Sequence, residues 1–554
     1  HYMRPRDCEA TYYLGVVLKE KGELDSAYDC FYNAIWDYAW QSAGYYQLAQ
    51  IDCRRGDFEK ALDHVNRSLS ANVNNEEAIN LKIILLGKLN NIDAAKELAL
   101  KSLQSDCLNR EALNELSIFY SIENNDDEAL KYADEFTRIM REDPQAYIEM
   151  AAYYGESGFY KDAIDILTRL EKKGNTFPML YYYLGYYWSK AGDQANALNY
   201  YKTAGEKPYL YCFPFRSESI KVLKSAMEIN PEDAKAPYYL GNLLYEHQPE
   251  NAISEWEKSR QIDNSFYIVH RNLGLAYKEV KQNYAEALDS YKKAVACNQD
   301  NPRLLYEMDQ LNELNKVSPQ KEYEFLKKNI ATTKKRSETI LRLATRAVGY
   351  GRYTEALEIL KNNFIEESEG ARERQDTYIN AHTLRALQYI NNSKFDDALA
   401  DLDSALAYPI GLYGRSLYAQ LYYLEGLIYQ KIGKEKKAEE LFKKTLETGV
   451  EGRGFDRQYL YYHGLALQRL GKEKEARKLF ENMLKDMQDI SSAGMYTGQF
   501  GGRNTRQNIM ANNHYLIGLA FEGLGEKDKA KKEFEQALDI NPGHIWSRQH
   551  LSEL

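Results

Sequence analysis

An alanine recurs at Ala27, Ala61, Ala95, Ala129, Ala163 and Ala197, and every step is 34 residues. A strict period of that length constrains the fold more than any other feature here. It marks a supersecondary unit that cannot bury its apolar face alone and must stack on copies of itself. The stretch Pro178 to Gly205, PMLYYYLGYYWSKAGDQANALNYYKTAG, displays the unit. With Pro178 as position 1, Tyr181 is position 4, Leu184 and Gly185 are 7 and 8, and Trp188 is 11. Gly192 is then 15, Ala197 is 20, Tyr201 is 24 and Ala204 is 27. Two helical runs of about 14 residues flank Gly192, and the small residues at 8, 20 and 27 let them approach closely. The spacing predicts six such units beginning near Cys8, Ser42, Glu76, Arg110, Pro144 and Pro178. Their turns fall at Gly22, Gly56, Asn90, Asn124, Gly158 and Gly192.

After Gly205 the register breaks at EKPYLYCFPFRSES, where aromatics and two prolines interrupt the helical period. A helix is predicted from Glu218 to Asn230, and units resume near Ala234 and Tyr267 with marker alanines Ala252 and Ala287. Residues Pro302 to Ser337 read as atypical helices, a place where the superhelix is expected to change direction. A last array begins near Ser337 and continues from Ile379, Ala419, Arg457 and Ala511, marked by Ala356, Ala398, Ala438, Ala476 and Ala530. The insertion Asp489 to Gln507 carries four glycines and reads as a flexible excursion. His544 to Leu554 ends polar, as a solvating cap helix should. Three blocks follow from this reading: 1–206 with six units, 207–335 with two and flanking atypical helices, and 336–554 with five, inserted loops and the cap.

The thirteen or so units resemble the tetratricopeptide repeat family. The resemblance implies an all-α solenoid, a right-handed superhelix of paired helices whose inner surface binds peptides or whole partners. A narrower resemblance lies between Tyr211 and Tyr277. There YCFPFRSESIKVL, NPEDAKAPYYLGNLLY, AISEWE and HRNLGLAY are similar to the repeat region of large bacterial proteins with a β-sandwich domain of unknown function ahead of their repeats. Such proteins are often encoded near carbohydrate-utilisation genes. Nothing in this sequence resembles the sandwich domain, so the chain reads as a fragment of a longer protein.

Several function classes are disfavoured. A net charge of −10 argues against a general nucleic-acid or anionic-membrane binder, since either needs a basic face to displace counterions. The cysteines Cys8, Cys30, Cys53, Cys107, Cys212 and Cys297 are widely spaced without a CxxC pair, which speaks against a zinc site or a disulfide framework. The start, His1 to Arg6, lacks the apolar core of a signal peptide, so a cytoplasmic location is favoured over export; a missing natural N-terminus could carry a signal. GxxxxGK[ST], HExxH, GxSxG and a strand-linked GxGxxG are absent, and no catalytic residue, metal site or cofactor is expected. His270, His382, His463 and His514 fall at position 4 or 7, where they pack between helices.

Tyrosine is the compositional outlier, 47 of 554 residues. Positions 5, 9 and 12 of the first helix form a stripe that faces the groove in the resembled family. Position 5 is tyrosine in seven units, Tyr12, Tyr46, Tyr182, Tyr238, Tyr423, Tyr461 and Tyr515. Two readings stand. Either these rings contact a partner in the groove, or they pad the junction between adjacent first helices. On the first reading, replacing Tyr182 harms folding less than replacing Trp188 in the packing stripe. The expected function is a non-catalytic scaffold whose concave groove binds a protein or peptide, including an upstream domain of the same protein. The alternative is an accessory repeat region of a larger carbohydrate-related protein whose catalytic or sugar-binding domain lies upstream.

Overall fold

A computed structural model describes residues 8–366, 373–408, 418–448, 457–492 and 506–554. Among the described residues there are 31 helices and no strand. Most pair into antiparallel hairpins, and the residues that carry the period explain why. An added Cβ on Gly185 would come within 2.6 Å of the Tyr201 ring, and one on Gly518 within 2.5 Å of the Phe534 ring. Position 8 therefore has to be glycine wherever an aromatic from position 24 lies across it. The marker alanines are sealed in the same seam, with Ala27, Ala197, Ala287, Ala356 and Ala530 completely buried.

The turns follow the sequence signals. Gly22 and Gly192 have φ of 84° and 91°, and where asparagine stands in for glycine, at Asn90 and Asn124, φ is 60° and 58°. Asparagine is the non-glycine residue that tolerates this left-handed region best, because its short side chain satisfies the local backbone. Second helices open on side-chain caps: Asp57, Asn125, Asp193 and Asn283 each accept from the backbone N–H three residues on.

The chain divides into two compact units, His1–Asn264 and Ser265–Leu554. The first holds seven hairpins and the lone helix Glu218–Ile229; the second holds six hairpins. Outside its hairpins the second unit has the helices Pro302–Leu314, Pro319–Lys328, Ile330–Thr333 and Ile545–Glu553. Both stretches that read as off-template do lack the regular hairpin. At the first of them, residues 207–217, the stack continues because Glu218–Ile229 packs on both Pro178–Lys190 and Lys235–Leu244. Of the glycine-rich insertion, residues 493–505 lie outside the described residues. The C-terminal helix is less solvated than its polar sequence suggests, with Trp546, Ser547 and His550 buried.

Candidate functional site

In each unit, helices far apart in sequence meet through a cluster of charged side chains. In the first unit the centre is Glu156, the last residue of helix Pro144–Glu156. Its carboxylate lies 3.3 Å from Lys19 Nζ, 2.7 Å from Arg54 Nη2 and 2.6 Å from Lys221 Nζ. Arg54 Nε also donates to the Glu156 carbonyl at 2.6 Å, satisfying an acceptor that a helix end leaves unpaired. The following turn makes this approach possible. Gly158 has φ of +81°, and a Cβ there would lie 3.1 Å from Arg54 Cα, so both the turn and the contact require glycine.

Lys19 continues inward, donating to Gln47 Oε1 at 2.8 Å and Gln50 Oε1 at 2.6 Å, while Gln50 Nε2 donates to the Tyr46 hydroxyl at 3.0 Å. Tyr153 donates to the Glu77 carbonyl at 2.9 Å. First helices of four hairpins are thereby tied together. Burial lowers Lys19 to about 8 against the pull of Glu156. For Glu156 burial pushes upward, but Lys19, Lys221 and Arg54 together outweigh it and hold the carboxyl down to about 2.

The second unit inverts the charges. Arg342 and Arg346, on helix Ser337–Gly349, converge on the fully buried Asp309. Arg346 places Nε and Nη2 each 3.1 Å from its two oxygens, and Arg342 Nε bonds the same carboxylate. Glu313 Oε2 accepts from Arg342 Nη2 at 2.8 Å and Arg346 Nη2 at 3.0 Å, and Glu322 Oε2 is 3.0 Å from Arg346 Nε. Burial raises Glu322 to about 8, whereas Glu313, also pushed up by burial, is pulled down to about 2 by the two guanidiniums. The C-terminal helix joins the same unit together. Trp546 Nε1 donates to Asn380 Oδ1 at 3.1 Å, His550 Nδ1 is 2.8 Å from Glu522, and Arg548 donates to the Gly349 carbonyl.

The position-5 tyrosines are enclosed rather than displayed, except for Tyr12, which is half-buried with its ring 4.8 Å from that of Trp40. Tyr46 is engaged by Gln50 as above. Tyr182 is fully buried and donates to Asp233 Oδ2 at 2.6 Å. Its ring leads through Tyr239, at 5.9 Å and then 5.2 Å, to buried Tyr238. Tyr423 packs on Phe442 at 5.7 Å. Tyr461 and Tyr515 lie 5.5 and 5.9 Å from the His550 ring. The structure thus joins Tyr182 with Tyr238 and Tyr461 with Tyr515. Tyr182 is fully buried and hydrogen-bonded whereas Trp188 is only half-buried.

Sequence reasoning did not single out Lys19, Arg54, Glu156 and Lys221. Lys19, Arg54 and Glu156 carried only the signal of a charge at or next to position 12 of a first helix, and Lys221 stands on the lone helix Glu218–Ile229, outside any unit. Sequence reasoning also missed that the interrupting strap exposes Leu210, Tyr211, Phe213 and Phe215 around a buried Cys212, with Tyr211 at φ 60°. Among the described residues no group of three side chains suits a metal ion, and no helix is long and apolar enough to cross a membrane.

The sequence model of the tetratricopeptide repeat family matches residues 419–447 and 511–544. Those two segments are tetratricopeptide repeats. Both fall on hairpins of the second unit, the first on Tyr418–Lys431 with Glu435–Glu447. Proteins built on such repeats generally mediate protein–protein interactions and are typically non-catalytic. Among solved structures the chain is similar to YrrB, a tetratricopeptide protein with an unusual peptide-binding site, at 21% identity over 38% of this chain and 96% of that one, with a TM-score of 0.18. It is also similar to the C-terminal part of a repeat-containing protein from Cytophaga hutchinsonii, at 17% identity over 47% and 94%, TM-score 0.27. MamA is similar at 22% identity over 33% and 95%, TM-score 0.17.

Proposed function

We propose that this chain is a non-catalytic interaction scaffold that binds a protein or peptide segment along the inner face of its repeats. The observation that carries the reading is the hairpins themselves, seven in the first unit and six in the second, two of them matched as tetratricopeptide repeats. Enclosure of the tyrosines refines their part in it. On this reading the buried Tyr46, Tyr182, Tyr238 and Tyr423 support the face from behind, and the half-buried Tyr12 would be the ring that contacts the partner. Tyr461 and Tyr515 are covered by His550, so a partner reaches them by displacing the helix Ile545–Glu553. A peptide library selected on the full chain tests this. Tyr12→Ala should weaken the selected peptide by roughly 2 kcal/mol, about thirtyfold, with unchanged melting temperature. If no peptide is selected, or binding ignores both Tyr12→Ala and removal of the last helix, the inner face is not the site.

A second reading keeps the repeats as the accessory region of a larger carbohydrate-related protein, with an upstream domain as partner. It is favoured by the first hairpin. Leu14 is 42% exposed, while its counterparts Leu48, Leu184 and Leu240 are buried. Tyr13 and Val17 beside it are exposed too, a face shaped for something to stack on. The β-sandwich resemblance belongs to this reading, and the full-length gene decides it.

A further inference from the structure

Three side chains of the first two hairpins form a relay, Tyr32 on helix Leu24–Ala34, Asp52 on Tyr38–Arg55 and His64 on Phe58–Ala71. Tyr32 Oη lies 2.8 Å from His64 Nε2, and His64 Nδ1 lies 2.7 Å from Asp52 Oδ2. Asp52 and His64 are buried, whereas Tyr32 is 39% exposed. A carboxylate only accepts, so Nδ1 carries a proton toward Asp52. In the tautomer with that single ring proton, Nε2 accepts from the Tyr32 O–H, the arrangement that activates a hydroxyl for attack.

The surroundings single out Tyr32 from its neighbours. Tyr28 also reaches Asp52, donating at 3.3 Å; burial and then the Asp52 charge push its phenol upward, so it stays a donor. The Tyr45 ring stacks on His64 at 5.8 Å and holds the imidazole plane. Lys60 Nζ stands 3.7 Å from Asp52 Oδ1.

We propose that Tyr32 is a covalent modification site, an activated phenol that takes an acyl group from an activated acyl ester. Tyr32 Oη attacks the ester carbonyl carbon and forms the new carbon–oxygen bond. Its proton passes to His64 Nε2. The bond to the alcohol or phenol leaving group breaks with its electron pair, and the proton returns from His64 to that group; nothing is oxidised or reduced. His64 is the base that touches the reacting atom, and Asp52 is a positioning residue that fixes its tautomer. The product is a tyrosyl ester formed once per chain, which leaves the scaffold reading independent.

Exposed tyrosines of the same chain supply the control. Tyr13, Tyr38 and Tyr211 are 55%, 70% and 89% exposed, so accessibility alone ranks Tyr32 last. The full chain is treated with p-nitrophenyl acetate, and acetylation of each tyrosine is followed by peptide mass spectrometry. Tyr32 should react at least about tenfold faster than any of the three, a modest share of what general-base assistance supplies. His64→Gln should bring it down to or below their rate, and Asp52→Asn should slow it while leaving Tyr38 unchanged. Tyr32→Phe should remove the fast release of p-nitrophenolate. If Tyr32 in the unaltered chain reacts no faster than Tyr38, the proposal fails whatever the variants do. A fast Tyr32 that a folded His64→Gln protein retains would equally overturn it.

Discussion

In the first unit a single carboxylate, Glu156, gathers Lys19, Arg54 and Lys221; in the second, Arg342 and Arg346 gather Asp309, Glu313 and Glu322. Each arrangement carries a surplus of one sign in a place with little water, and such a surplus is costly. The two relieve it through different members. Burial lowers Lys19 to about 8, so it is the member of the first cluster that loses its charge most readily as pH rises above neutrality. Arginine keeps its charge, so the second cluster adjusts through an acid instead, and burial raises Glu322 to about 8. Arg342 also reaches Glu373 at 3.4 Å, so with Glu322 protonated the two guanidiniums face three carboxylates, Asp309, Glu313 and Glu373. Helices of stacked hairpins can thus be cross-tied by either polarity, and in each cluster burial disfavours the charge of one member, Lys19 or Glu322.

The largest effect expected from breaking this comparison is at Arg346. Arg346→Leu strands buried Asp309 with one guanidinium and should cost the second unit about 3–5 kcal/mol. Hydrogen exchange, read peptide by peptide, should show faster opening between residues 302 and 349 and no change before 264. Protection that survives intact would mean that packing, not pairing, holds that region.

Glu156→Gln should cost less, about 1–3 kcal/mol, because Arg54 and Lys221 retain 16% and 29% exposure and can turn to water. Denaturant melts monitored by exchange in residues 8–264 measure it. A loss as large as that for Arg346→Leu would remove the distinction drawn here.

The pH dependences should run in opposite directions. Glu156 titrates at about 2 in the folded chain against 4.5 ordinarily, so its contribution is complete above pH 4.5 and disappears as pH falls toward 2. Glu322 titrates at about 8 when folded, so the folded state keeps a proton that the unfolded chain releases. Its contribution is complete below pH 4.5 and is lost as pH rises toward 8. Subtracting Glu156→Gln and Glu322→Gln proteins from the parent across about pH 3 to pH 9 isolates each slope. Two slopes of the same sign would contradict the assignment.

Limited proteolysis offers the smallest perturbation and addresses the boundaries. We propose first cuts near residues 206 and 335, in the off-template stretches, which would divide the chain into the three blocks 1–206, 207–335 and 336–554. A single early cut near 264 would make the two compact units the cooperative ones instead.

The hairpins were legible residue by residue. Gly185 against Tyr201 and Ala197 in the seam are local facts, since the partners lie on one hairpin and recur at a fixed spacing. Even the turns with asparagine for glycine could be read, because φ is set by a residue's own sterics. The tyrosine stripe was legible as a pattern, but its exposure was not. Whether Tyr182 meets a partner or Asp233 depends on a residue 51 positions away, and Tyr461 meets His550 only because the last helix returns to it.

The sequence by itself determined the helical repeat, its period and the seam within each hairpin, because those contacts join residues at fixed, short separations. The tertiary structure alone decided how the hairpins are cross-tied. Lys19 to Glu156, Arg54 to Glu156 and Arg548 to Gly349 span more than a hundred residues each, and the small rotation between successive hairpins sets which helices meet. That rotation accumulates over many interfaces and leaves no mark at any one position. A charged side chain at the end of a first helix therefore looks the same in sequence whether it faces water or closes the stack.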